Sequence, residues 1–270
     1  MFKDITLGQY VPGESPIHRM DPRVKITITF TYIVILFFIR DLRAYSLLGS
    51  LTLATALIAS IPIRMLIRGL RPVLFIIFIT FFLNMLVTPG DVAYAIGPLT
   101  ITEEGLRQGI TMVFRLLLLI LTTSILTLTT SPIDLTDGLE SIMRPGQRVG
   151  VPAHELAMMM TIALRFIPTL MEEADRIMKA QMARGADFSG GNLIKRAKSL
   201  IPLLVPLFVG AFRRADDLAM AMEARCYRGG EGRTRYRQLS ITAVDYHAAL
   251  VSLLVIGFAL AWGRGWITWL

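Results

Sequence analysis

Along the first half of the chain, long apolar runs alternate with short charged connections, and one more such run closes the sequence. Five of these runs, at 24–39, 44–63, 73–87, 110–130 and 241–262, are candidates to cross a bilayer. About 20 residues of helix span the ~30 Å hydrocarbon core. The second, fourth and fifth runs reach that length. The first and third are shorter, so either Lys25 and Arg40 snorkel outward or the helices are locally thin or re-entrant.

Between the fourth and fifth runs the pattern changes. Residues 134–150 read as a short helix and a turn, stopped by Pro145-Gly146. A long helix is predicted over 152–185, with Pro152 suited to its first turn. Leu156, Met160, Ala163, Ile167, Leu170, Ala174, Ile177 and Gln181 recur at three- and four-residue spacing and make one mostly apolar stripe. Glu172–Arg176 and Asp175–Lys179 are favourable (i, i+4) pairs on the other side. Gly185 and Gly190-Gly191 end the helix. A second piece, 192–212, starts amphipathic, with Lys195, Arg196 and Lys198 facing away from Ile194, Ala197 and Ile201. It then turns apolar but is interrupted by Pro202 and Pro206, and reads as buried against other helices or lying at the membrane interface. A third piece, 213–225, carries Ala215, Leu218, Ala219 and Met222 on one side, and a basic loop with Arg233, Arg235 and Arg237 leads to the last run.

Composition sharpens this picture. Hydrophobic residues make up 54% of 270, with mean hydropathy +0.58; soluble domains hold about 45–50% in short clusters rather than long runs. The fold class is therefore an all-α integral membrane protein with about five transmembrane helices plus long amphipathic cytoplasmic helices. Its regions are 1–130 (four spans), 131–239 (cytoplasmic) and 240–270 (a C-terminal span). The net charge of +8 sets the orientation. Lys3, Arg19 and Arg23 precede the first run and Lys25 opens it, Arg64, Arg68 and Arg71 follow the second, and 131–239 holds 16 Lys or Arg against 12 Asp or Glu. The 89–109 connection is acidic, with Asp91, Glu103 and Glu104 against Arg107. The positive-inside rule puts the N-terminus and 131–239 in the cytoplasm, with the three tryptophans near the C-terminus at the opposite interface. Nucleic acid is not a partner by this reading, because the basic residues lack interleaved aromatic stacking positions.

Catalytic signatures are missing. His154-Glu155 opens like a zinc-protease helix, but the second histidine would fall at Met158. His18, His154 and His247 lie far apart, and Cys226 is the only cysteine, which excludes an internal disulfide. There is no phosphate-binding Gly-Lys-Ser/Thr loop and no nucleophile elbow. Within the runs, Arg115 reads as snorkelling to the outer interface and Asn84 as an interhelical hydrogen bond. A stand-alone secondary transporter would predict paired repeats with broken helices, and a conventional ABC permease would line its own substrate path.

One short pattern occurs twice, each time at the end of an amphipathic helix: Ala183-Arg184-Gly185 and Ala224-Arg225-Cys226. Small neighbours let a partner surface approach, and arginine offers a planar donor fork for a carboxylate or carbonyl. The alternative use is an Arg interacting with the helix dipole.

With these residues on the page, the sequence resembles the transmembrane T component of energy-coupling factor (ECF) transporters. The resemblance is carried by Leu-Gly-Gln-Tyr at 7–10, Met20-Asp21-Pro22-Arg23-Val24-Lys25 and Ala163-Leu164-Arg165-Phe166-Ile167-Pro168. The two Ala-Arg-X motifs and the run from Tyr227-Arg228-Gly229-Gly230 to Arg237 complete it. It implies a non-catalytic scaffold in a bacterial inner membrane, joining two ABC-type ATPase subunits to membrane-embedded substrate-binding subunits. ATP and Mg²⁺ would be bound by the ATPases, with no cofactor in this chain. The cargo would be a vitamin or, less commonly, a metal ion such as cobalt or nickel. Ala183, Arg184 and Gly185 would dock one ATPase, and Ala224, Arg225 and Cys226 the other. Met158, Met159 and Met160 gain a role at the substrate-subunit interface, with core packing as the alternative. The family's second motif ends in Gly; Cys226 is small but has less backbone freedom, which leaves the turn after Arg225 open.

Overall fold

The computed structural model describes residues 10–39, 41–96, 99–186, 188, 193–230 and 239–263. The segment 7–9 of the Leu-Gly-Gln-Tyr motif, the basic loop with Arg233, Arg235 and Arg237, and Trp266 and Trp269 lie outside the described residues. The chain divides into two compact units. One comprises Gly8–Leu139 with Gln238–Leu270, the other lies within Glu140–Arg237.

The first unit is the membrane bundle. A single turn, α1 (Pro16–Arg19), leads into α2 (Pro22–Phe38), which starts where Asp21 caps it and Pro22 occupies the first helical position. α3 (Leu42–Ile58) is shorter than its apolar run suggested. It stops because Ser60 takes a left-handed φ of 54° and Pro62 follows. At 1.5 Å per residue, the 17 residues of α2 and of α3 each cover about 25 Å. The third run is also reshaped. α4 (Ile63–Leu70) turns Leu66 inward with Arg64 and Arg68 exposed, then bends by 56° into α5 (Leu74–Val87). The 89–109 connection contains an antiparallel pair, β1 (Val92–Ile96) with β2 (Leu99–Thr102). Thr102 caps α6 (Glu103–Thr129), whose first turn carries Glu103 and Glu104 against the helix dipole. α7 (Pro132–Met143) follows, and α10 (Ala243–Gly263) closes the bundle.

By length and composition, α6 and α10 cross a bilayer unaided, and the bent α4–α5 pair makes a third span if counted as one. The count of about five is thus looser than the apolar runs suggested. The core gathers Tyr32 and Leu36 of α2, Tyr45 and Leu48 of α3, Leu118 of α6, and Ile256 and Ala259 of α10. Two polar readings change. Arg115 donates to the Tyr45 hydroxyl at 3.0 Å and to the Ile39 carbonyl at 3.2 Å, so it supplies donors where α2 runs out of them. Asn84 bonds to Thr80 O of its own helix at 2.8 Å, not to a neighbouring helix.

The second unit is a helical hairpin. After a 3-10 turn (Arg144–Val149) come α8 (Ala153–Ala183) and α9 (Leu193–Ala224). α9 joins into one helix the two pieces expected at 192–212 and 213–225, and Pro202 and Pro206 lie inside it. Pro206 withholds the amide that Pro202 O would receive in a regular helix. The Gln181 side chain of α8 donates to that carbonyl instead, at 3.4 Å. The Glu172–Arg176 and Asp175–Lys179 pairs form as expected, both at the surface.

Candidate functional site

The two Arg motifs close the two long helices of the hairpin. α8 ends at Ala183, Arg184 follows as its cap, and Gly185 has a left-handed φ of 87°. Gly185 N–H donates to Met182 O and Ala186 N–H to Gln181 O, each at 3.0 Å. α9 ends in the same way. Cys226 has φ 57°, its N–H donates to Glu223 O at 2.9 Å, and Tyr227 N–H donates to Met222 O at 3.0 Å. Both are Schellman closures, which satisfy carbonyls that a helix end leaves unpaired. Cys226 therefore closes its turn as Gly185 closes the other. The Cys226 turn holds a side-chain-bearing residue in a conformation that costs about 1 kcal/mol.

Arg184 and Arg225 are exposed, and neither guanidinium has a hydrogen bond or ion pair among the described residues. Ala183, Gly185, Ala224 and Cys226 are exposed as well, so no side chain of either motif is spent on the fold. The hairpin sets the two turns far apart. As residue number rises along α8, its partner's number falls along α9 and the loop after it: His154 meets Gly230, Glu173 pairs with Arg214, and Gln181 meets Pro202. The helices are antiparallel, so Arg184 lies at one end of the hairpin and Arg225 at the other, on the order of 40 Å away along the helix axis.

The Arg225 end is braced. His154 Nδ1 lies 3.1 Å from Glu140 Oε1 at the end of α7. A Cβ on Gly230 would stand 2.7 Å from His154 Cδ2, so only glycine lets the chain pass this close to the ring. The start of α8, the end of α7 and the loop after Arg225 thus share one contact. The sequence hinted at none of this, because His154 drew attention only as a metal ligand. Among the described residues no group of three or more His, Cys, Asp or Glu could hold a metal ion.

Met158, Met159 and Met160 are not core residues. Met159 and Met160 are 54% and 43% exposed, and Met158 is half-buried. The stripe predicted for α8 is covered only toward its C-terminal half, where Ala174 is buried and Leu170 and Ile177 are half-buried. Leu156, Met160 and Ala163 remain exposed. α9 adds an exposed apolar row of Ile201, Val205, Phe208 and Phe212. Its spacing of three to four residues marks a single helix face, a signal obscured by the two prolines.

Comparison with known proteins agrees along nearly the full length. A family model described as cobalt transport protein, CbiQ, matches residues 13–236. The energy-coupling factor transporter transmembrane protein EcfT of Thermosediminibacter oceani is 61% identical over 256 residues, covering 94% of this chain and 97% of the relative. The protein of the same name from Clostridium kluyveri is 52% identical over 270 residues, covering 98% and 100%. That from Bacillus subtilis is 49% identical over 261 residues, covering 96% and 98%.

Proposed function

The chain belongs to the family of energy-coupling factor transporter transmembrane proteins, and we propose that its α8–α9 hairpin is where two ATPase subunits dock, one at Arg184 and the other at Arg225. The chain is the membrane component of the transporter, which couples ATPase subunits to substrate uptake. ATP is hydrolysed on the partners. Their closing moves the two ends of the hairpin, and that movement reorients a substrate-binding subunit in the membrane. The exposed methionines at 158–160 suit a surface against which such a subunit slides, since methionine repacks readily. The N-terminus and the hairpin face the cytoplasm, in line with their excess of Lys and Arg, and the membrane is the bacterial inner membrane.

One observation carries this reading: two identical helix-end turns at opposite ends of one hairpin, each presenting an exposed arginine that has no ion pair among the described residues. A guanidinium fork held by a fixed turn loses little freedom on meeting a carboxylate or carbonyl. The spacing suits two separate partners better than two contacts on one. No observation favours a stand-alone transporter or a permease lining its own path.

The test is purification of the tagged chain from its native membrane in mild detergent, with every co-purifying protein identified. Two ATPases and one or more small hydrophobic proteins are expected. Arg184→Glu with Arg225→Glu should release the ATPases and leave the hydrophobic partner bound. An intact complex with unchanged transport in the double variant sinks the assignment.

A further inference from the structure

The membrane bundle contains a cavity of about 410 Å³ walled by α1, α2, α3, α6 and α10. Its extent can be read from the helices. Lys25 and Tyr32 on α2, Ile58 and Leu51 on α3, and Thr129 and Thr122 on α6 all line it. Each pair is seven residues apart, about 10 Å of axial rise. The cavity therefore begins at the end of the bundle where α2 and α10 start and α3 and α6 finish. From there it runs inward along the helices.

Its walls are hydrocarbon in effect. Four of the polar side chains that line it spend their donors on the backbone, and the Thr122 hydroxyl is buried without a hydrogen-bond partner. Thr52 and Tyr32 donate to Leu48 O, Thr55 to Thr52 O, and Thr129 to Ile125 O, all within 3.1 Å. Lys25 Nζ directs its protons at His18 O, Thr129 O and Thr130 Oγ1, which leaves no donor for a ligand to meet. The rim includes Ile58, Val244 and Val251, which are 45–53% exposed. It merges with the exposed Leu53 and Leu57 of α3 and the exposed Leu250 and Leu254 of α10. α10 crosses the bilayer, so that outer surface is covered by lipid. An empty apolar void of this size would deprive every wall of packing partners.

The geometry points to one occupant: an acyl chain of a membrane phospholipid, entering from the bilayer between α3 and α10, with its head group at the level of Lys25 and Val244. Its continuity with the lipid-covered surface, its hydrocarbon lining and its start at the helix ends all fit a lipid tail. A polar solute would find only the Thr122 hydroxyl inside and His247 toward the open end to replace its water. The inference does not depend on the docking of ATPases.

The experiment uses the whole transporter complex in vesicles of phosphatidylethanolamine and phosphatidylglycerol. These are doped with a phospholipid bearing a photoreactive diazirine toward the end of one acyl chain, and adducts are mapped by mass spectrometry. Adducts are expected on Thr29, Tyr32 and Thr122 inside the cavity, as well as on Phe75 and Phe78 of the outward-facing α5. Ala248→Phe and, separately, Ser252→Phe fill the cavity. Each should abolish the inner adducts and leave those on Phe75 and Phe78, which also report that the bundle is folded. Inner adducts that survive both substitutions, adducts confined to α5, or inner positions linked instead to a partner subunit would each overturn the proposal.

Discussion

Asp245 Oδ1 accepts the backbone N–H of Asp21 at 2.8 Å, joining residues 224 positions apart. Asp21 caps α2, and Asp245 sits in the first turn of α10. The second oxygen of Asp245 accepts the Thr242 N–H at 2.7 Å and its hydroxyl at 2.8 Å. One carboxylate thus closes its own helix in the manner of a capping box and satisfies the amide of another helix's cap. Asp245 is only 1% exposed, so water cannot replace it.

Asp245→Ala should therefore leave two amides short of a partner and cost about 2–3 kcal/mol, with Asp245→Asn intermediate. Thermal unfolding of the detergent-purified complex measures this. An unchanged midpoint in the alanine variant would remove the contact from the account.

The two Schellman turns predict opposite effects from opposite substitutions. Cys226→Gly should stabilise the end of α9 by up to about 1 kcal/mol, and Gly185→Ala should destabilise the end of α8 by a similar amount. Amide exchange at residues 182–186 and 222–227 reads both. If Cys226→Gly speeds exchange at its own turn, the cysteine side chain has a stabilising contact that outweighs the backbone cost.

His18 supplies a pH dependence. Its Nε2 lies 3.1 Å from Val11 O and its Nδ1 2.7 Å from the Ser15 hydroxyl, contacts that the neutral ring meets by donating from Nε2–H and accepting at Nδ1. Burial, helped by nearby Lys25 and opposed by the Val11 carbonyl, holds its pKa below the ordinary 6.5. The folded state therefore binds fewer protons than the unfolded one around that pH. The stability it contributes is complete above about pH 6.5 and declines as the pH falls toward the lower folded value. His18→Gln can still donate to Val11 O but does not titrate. Its melting temperature should vary less between pH 7.5 and pH 5.5, roughly one unit either side of the ordinary imidazole value. An identical pH profile in both proteins would assign the dependence to other groups.

Gln181 and Pro206 should be coupled. Gln181→Ala removes the donor to Pro202 O and should cost about 0.5 kcal/mol, because the site is exposed enough for water to substitute partly. In a Pro206→Ala background the helix supplies its own amide, and the same change should cost almost nothing. A double-mutant cycle measures the difference. Equal costs in both backgrounds would show that the 3.4 Å contact is incidental.

Much of this was legible in the sequence because it depends on local periodicity. α6, α8 and α10 were placed to within a few residues, α6 apart from its earlier start at Glu103, and the Arg motifs fall at helix ends where their pattern had put them. The errors arose where a local signal competes with tertiary contacts. Pro202 and Pro206 signal a break, yet a side chain from the neighbouring helix repairs the ladder and α9 runs on. Asn84 signals a partner helix, but its own backbone lies nearer. Ser60 carries no sequence mark of a left-handed residue, so α3 looked longer than it is. The brace between His154, Glu140 and Gly230 joins residues distant in sequence, and no spacing rule reaches it.

The membrane bundle is built from two stretches of sequence separated by the hairpin, and this has a consequence for biogenesis. Ile256 and Ala259, which cover Tyr32, Leu36, Tyr45 and Leu48, emerge from the ribosome only after residues 140–237 have been made. At the usual pace of synthesis, that is on the order of 10 s after the earlier helices are available. Throughout that interval the Asp21 amide also waits for Asp245. The nascent bundle is thus an open half-structure in the membrane, and its assembly ends, rather than begins, with its best-buried polar contact.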